Sequence, residues 1–392
     1  MAITNKIGAP VTGEDFFGRK KELASAHRYL NEKQSILLSA PRRIGKSSIA
    51  KRLIHDKEKE NWKCVYVDLQ GIATKEAFLR KLIDAFNGIG LLDKATGKIR
   101  DLADSMKTSI SGLSFGDLKI DLNNRAESES LFNRLTSLLN HNNDTLIVVD
   151  ELPLFLGKLM DKDSTNRDEV EFFLNWFRSL RQYENSKIRW LFCGSVGLRN
   201  FTNHYRMSQT INDLVDLKLG ELPENEANGL LEALSKSYNL GMNDSVITET
   251  LELLQWPIPY FIQLLIDRLI SNIDNPESTP VNITDVTKAL DELSKSDYFL
   301  TWDERLNEYR DLETTARKIL DNLAKSEQGL TPSQIYTIAM GGQEVTNAET
   351  MNREVTRILD MLEHDGYLLR NANLIKFRSP LLRKWWRYKF MI

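Results

Sequence analysis

Ser35 to Lys51 reads Ser-Ile-Leu-Leu-Ser-Ala-Pro-Arg-Arg-Ile-Gly-Lys-Ser-Ser-Ile-Ala-Lys, and few folds can accommodate that order. A short apolar run, Ile36 to Leu38, comes first; a helical pattern through Ile49 and Leu53 follows. Between them stands Ala40-x-x-x-x-Gly45-Lys46-Ser47, a phosphate-binding loop with alanine where the strict pattern has glycine. Gly45 permits the tight turn that aims backbone N–H groups inward at an anion. Lys46 brings positive charge to the β- and γ-phosphates, and Ser47 offers a hydroxyl to Mg²⁺. The helix that follows directs its positive N-terminal end at the same place. This stretch predicts a nucleotide site.

A second chemical motif is Leu146-Ile147-Val148-Val149-Asp150-Glu151. Four apolar residues in a row suit a parallel strand buried on both faces. In open α/β sheets the carboxyl ends of such strands are where ligands gather. Asp150 is then the residue to hold Mg²⁺, directly or through water, and Glu151 the base that polarises a water attacking the γ-phosphate. Two further apolar runs, Lys63 to Leu69 and Ile188 to Cys193, read as companion strands. The second ends at Gly194-Ser195, which puts Ser195 where it can sense the γ-phosphate or serve only as a turn residue.

The chain has 392 residues, enough for two or three domains. Its net charge of −3 exerts no global pull on nucleic acid or membrane, so any such affinity must be local. Cys64 and Cys193 both lie in apolar strand-like runs and read as reduced thiols. No apolar leader and no membrane-length run is visible, so a cytoplasmic protein is expected.

Taken in order, Asp15 to Leu23 precedes a short helix, and Phe17-Gly18-Arg19 could pack on an adenine or simply start that helix. Residues 88–125 are irregular and read as an insertion containing a hairpin. Arg199 and Arg206 are candidates for an arginine finger. Strand-like runs cease near Leu219, and helical patterns follow through Pro257 and Pro259 to about 310. From 311 the order becomes helix, helix, helix, hairpin, a winged helix-turn-helix, with Thr331-Pro332 as a helix start. From Arg370 onward every charged residue is basic, interleaved with Trp385, Trp386 and Tyr388. Such an end suits a phosphate backbone, or equally a structural helix that buries its tryptophans and solvates its lysines. On the third helix of this segment Glu354 and Asp360 dilute Arg353 and Arg357.

Together the motifs resemble the archaeal-type ATPases of the AAA+/STAND P-loop class. The resemblance is carried by Phe17-Gly18-Arg19-x-x-Glu22-Leu23, Ala40 to Ser48, Trp190 to Leu198, Ile211 to Leu214, Trp256 to Gln263 and Phe377 to Trp386. It implies an α/β fold: a P-loop NTPase core with a parallel sheet over 1–218, a helical lid over 219–310 and a winged helix-turn-helix over 311–392. It also implies Glu151, Lys46 and Ser195 as catalytic residues, with Ser47 and Asp150 holding Mg²⁺. ATP would be bound by Phe17, Gly18, Arg19, Pro41, Arg42, Arg43, Ile44, Gly45, Lys46, Ser47, Ser48 and Pro259. At the last position Trp256 and Pro257 stand where relatives carry glycines.

The function expected is an ATP-dependent switch that closes its lid on the core and controls a protein partner or effector in signalling or antiviral defence. A nucleotide-dependent homo-oligomer is compatible with it, and no membrane partner is expected. The alternative is a DNA-binding AAA+ ATPase that places its winged helix on duplex DNA.

Overall fold

Thr145–Asp150 is buried along its whole length, and that is why the acidic motif ends an interior strand. The computed structural model describes residues 3–92, 125–162, 167–194, 197–272, 280–341, 348–371 and 373–391. The hairpin expected within 88–125 falls almost entirely outside the described residues, as does Ser195. Contacts divide the chain into two compact units, one of Lys20–Ala40 and Lys46–Leu219, the other of Met1–Arg19, Pro41–Gly45 and Gly220–Ile392.

The first of these units contains helices α1 (Lys20–Asn31), α2 (Lys46–Lys59), α3 (Lys75–Gly88), α4 (Arg125–Leu138), α5 (Leu152–Lys162), α6 (Arg167–Arg181) and α7 (Leu198–His204). Its strands are β1 (Ile36–Ser39), β2 (Lys63–Asp68), β3 (Thr145–Asp150), β4 (Ile188–Gly194) and β5 (Val215–Lys218). They form one five-stranded sheet in the order β2-β3-β4-β1-β5, and every pairing is parallel. Parallel strands need helical crossovers, which cover the sheet and favour unbroken apolar strands. β4 shows the result, being buried from Ile188 to Gly194. Aromatic rings fill the space beside the sheet: Phe78 stacks on Phe155 at 4.6 Å, and Phe177 meets the edge of Trp190 at 5.2 Å. β5 was not expected. It is a four-residue edge strand in which Asp216 and Lys218 are exposed and only Leu217 is fully buried.

The other unit is helical apart from a hairpin. It holds α8 (Glu224–Ser237), α9 (Asp244–Leu254), α10 (Pro259–Asn272), α11 (Ile283–Leu293) and α12 (Leu300–Leu306). Then come α13 (Glu313–Lys325), α14 (Pro332–Met340), α15 (Ala348–His364), β6 (Leu368–Arg370), β7 (Ile375–Phe377) and α16 (Pro380–Phe390). α14 begins as Thr331-Pro332 predicts: the threonine accepts from Gln334 N at 3.3 Å, and Gln334 Oε1 accepts from Thr331 N at 2.8 Å. β6 and β7 are antiparallel, and Leu330 bridges to Ile375 beside them.

α16 resolves part of the ambiguity in the basic C-terminal stretch. Trp385 and Trp386 are buried, and Trp386 Nε1 donates to Asp321 at 2.8 Å. Arg383 is also buried and is paired with Glu327. Arg370 is paired with Asp360 at 2.7 Å and with Glu363. One face of this helix is therefore packing, while Lys384, Arg387 and Lys389 are exposed, the last 3.4 Å from Asp297.

Candidate functional site

In the sheet unit the motif residues converge at the carboxyl edge of the strands. Lys46 opens α2 directly after the loop; it is 9% exposed and its Nζ donates to Ala40 O at 2.8 Å. Ser47 Oγ lies 3.3 Å from Asp150 Oδ2, so the helix and the end of β3 present a hydroxyl and a carboxylate to each other. Asp150 is 7% exposed, and its Oδ1 accepts from the Glu151 backbone N–H at 3.0 Å.

Glu151 turns sharply away from β3. Its φ is +59°, a left-handed conformation that a non-glycine residue adopts at a cost. Two hydrogen bonds hold the turn, since the same N–H also reaches Cys193 O at 2.9 Å. The carboxylate is carried over the tip of β4, where a Cβ at Gly194 would stand 3.4 Å from Glu151 Oε2. Strain of this kind persists where surrounding structure fixes it, often at reactive groups.

Oxygen donors of this type suit a hard cation. Mg²⁺ typically takes one or two protein oxygens and fills its remaining positions with water and phosphate. Ser47 and Asp150 supply that number, and among the described residues no cluster of three or more His, Cys, Asp or Glu offers a closed metal cage. Burial, and then the charge of Asp150, push the Cys193 thiol far up. Cys64, half-buried, is pushed up to about 12, chiefly by burial.

Tyr66 was missed from the sequence. It lies on β2 opposite Val148, and its hydroxyl donates to Asp150 Oδ2. Burial, then the charge of Asp150, raises its pKa well above the usual phenol range, so it stays a donor. The available signal was a lone hydroxyl two residues before the end of the strand, in Val65-Tyr66-Val67-Asp68.

The remaining loop residues, Pro41 to Gly45, group with the helical unit. Gly45 has φ +104°, which explains the glycine. The arginines use their side chains on protein. Arg42 Nη1 donates to Thr301 O at 3.1 Å, on α12. Arg43 donates to Gly8 O at 3.3 Å and lies 4.7 Å over the Tyr260 ring, next to Pro259 at the start of α10. Arg19 is buried, and its Nη2 donates to Ile44 O at 3.1 Å and to Gly220 O at 2.8 Å. Gly18 abuts Glu226, which also accepts from Arg19 N at 2.7 Å, and Phe17 lies against Gly229. Ile44 and Ser48 are buried. Pro41 touches the turn at Gly366, whose φ is +86° and where any side chain would strike Trp256 at 2.6 Å. The phosphate-loop segment is thus tied by named contacts to α12, to the start of α10 and to the turn between α15 and β6. Of the finger candidates, Arg199 is paired with Asp216 at 2.8 Å.

Residues 28–201 match the AAA domain family. The sheet just described lies largely within that span and carries the loop and both acids. The fold is a P-loop NTPase fold. Among solved structures, the chain is similar to the Walker-type ATPase PABY2304 of Pyrococcus abyssi, with a TM-score of 0.62 at 17% identity over 98% of this chain and 99% of that one. It is also similar to the Aeropyrum pernix ORC2 protein, solved as ADPNP-ADP complexes, with a TM-score of 0.51 at 15% identity over 95% of this chain and 94% of that one. No curated protein matches the chain in sequence. Among the described residues no helix is long and apolar enough to cross a membrane.

Proposed function

We propose that this protein binds ATP with Mg²⁺, hydrolyses it, and uses the two nucleotide states to control a protein partner. The observation that carries the reading is the meeting of Ser47, Asp150 and Glu151 at the sheet edge behind Lys46. Lys46 and the N-terminus of α2 hold the β- and γ-phosphates. Ser47 and Asp150 would hold the cation, which would supply positive charge against that of the phosphates. Glu151 orients a water and takes its proton as the water oxygen attacks the γ-phosphorus. The bond from that phosphorus to the β–γ bridging oxygen breaks, leaving ADP and phosphate. Ser195, which follows Gly194 in the sequence, is assigned the sensing role.

The switch reading is supported by the loop's second set of contacts. Arg42 is held by Thr301, and Pro41 abuts Gly366, so a loop rearranged by the γ-phosphate must alter contacts made by α12 and the C-terminal hairpin. We assign 1–218 to the ATPase core, 219–310 to a helical lid and 311–392 to a winged helix-turn-helix of AAA+/STAND type. The partner is a signalling or defence effector in the cytoplasm, with nucleotide-dependent self-association as part of the cycle.

A second reading, a DNA-binding ATPase, draws on the exposed Lys384 and Arg387 of α16. It draws little from α15, whose exposed positions include Glu354 and Asp360 beside Arg353. Mg²⁺-ATP turnover measured with and without duplex DNA, over a range of salt, separates the two. The switch reading expects slow turnover that DNA leaves unchanged. Stimulation by DNA that weakens steeply with salt, and is lost in the Lys384→Ala/Arg387→Ala variant, overturns it in favour of the second.

A further inference from the structure

Gly194 closes β4, and nothing in its own backbone calls for glycine. Its φ is not in the left-handed region, and it is buried and pairs with Ser39 like the strand residues before it. Glycine inside a strand weakens it and often marks a place where another group approaches closely. Here two groups do. A Cβ on residue 194 would stand 2.9 Å from Pro153 Cδ, and 3.4 Å from both Pro153 Cγ and Glu151 Oε2. Carbon atoms pack best at about 3.5–4.0 Å, so a methyl group there must displace a wall of the space. The proline cannot swing aside as a long side chain would, since its ring is part of the backbone in the first turn of α5. That turn has little room behind it: Leu152, Pro153 and Phe155 are buried, and Phe155 stacks on Phe78 at 4.6 Å. The yielding point is Glu151, where β3 runs into α5 and where φ is already +59°.

We infer that Gly194 is a positioning residue for the base: by carrying no side chain it leaves the space in which the Glu151 carboxylate and the first turn of α5 keep their places. This deepens the ATPase reading and rests on it. Overpacking of a buried site is relieved by shifts of side chains and backbone. A displacement of about 1 Å in a reacting group can cost about 100-fold in rate. The assigned phosphate contacts, Lys46 and the start of α2, are not among the three nearest atoms that a Cβ at residue 194 would meet. A methyl group there should therefore slow the chemical step and spare nucleotide binding.

The test is turnover of γ-labelled ATP at saturating Mg²⁺-ATP, read beside equilibrium affinity for a non-hydrolysable analogue and urea unfolding. Gly194→Ala is made alone, with Pro153→Ala and with Glu151→Gln. Alone it should turn over ATP about 10- to 100-fold more slowly than wild type, folded and with analogue affinity within about threefold. Pro153→Ala removes the Cδ and Cγ that residue 194 would strike, so in that background the same substitution should cost no more than about threefold. In the Glu151→Gln background it should cost as little, because no base is left to displace. Turnover of Gly194→Ala within about threefold of wild type overturns the inference. So does a loss that persists in full with Pro153→Ala, or one that persists with Glu151→Gln and so acts through another group. Loss of analogue binding or of folding in Gly194→Ala makes it a folding residue and overturns the positioning role. Wild-type protein without turnover, or Glu151→Gln as active as wild type, overturns instead the reading on which the inference rests.

Discussion

Glu151→Gln should leave ATP bound and lower its turnover by about 100-fold or more, the usual scale for losing a positioned base. Glutamine has nearly the same shape and can occupy the same left-handed turn. That turn is held by the backbone N–H of residue 151 on Cys193 O and Asp150 Oδ1, not by the side chain. The amide can still hydrogen-bond to a water but cannot take its proton. Phosphate release and analogue affinity, measured on the same preparation, check both halves. Turnover within about threefold of wild type would show that the proton goes elsewhere.

Asp365→Ala should cost the fold about 3–5 kcal/mol, the scale of breaking a buried ion pair from one side. Arg305 is 3% exposed and Asp365 4%, with Arg305 Nε donating to Asp365 Oδ2 at 2.9 Å. Tyr309 Oη donates to the same oxygen at 3.0 Å. Burial opposes the charge on Arg305, but the Asp365 charge and hydrogen bond outweigh it and hold the guanidinium above its usual range. Removing the carboxylate leaves that charge and the Tyr309 hydroxyl buried without their main acceptor. Residue 365 also leads into Gly366, the turn that abuts Trp256 and Pro41. ATP affinity should therefore weaken along with stability. Urea unfolding gives the first quantity, and a loss below about 1 kcal/mol would mean the pair is not what fixes this turn.

Four of the five sheet strands were legible from short apolar runs, which are buried in β1, β3 and β4 and largely half-buried in β2. β5 was not, since Val215-Asp216-Leu217-Lys218 is an edge strand paired only with β1, and two of its four residues face solvent. The helices beyond Leu219 were legible from spacing and from local signals such as Thr331-Pro332. Lys46, Ser47, Asp150 and Glu151 stood out because their chemistry is local to two motifs. Tyr66 did not, since its meaning depends on which strand lies beside β2. Arg19, Arg42 and Arg43 look the same in sequence whether a guanidinium meets a phosphate or a carbonyl. Only the fold shows their side chains on Ile44, Thr301 and Gly8. The Arg305–Asp365 pair joins residues 60 apart and leaves no local trace.

The most direct measurement of the central claim is an equilibrium titration of a fluorescent ATP analogue with Mg²⁺, wild type beside Lys46→Ala. The account predicts saturable binding by wild type and a loss of at least about tenfold in the variant, which lacks the Lys46 ammonium assigned to the phosphates. Equal binding by the two proteins would contradict it, and would place any nucleotide somewhere other than the loop before α2.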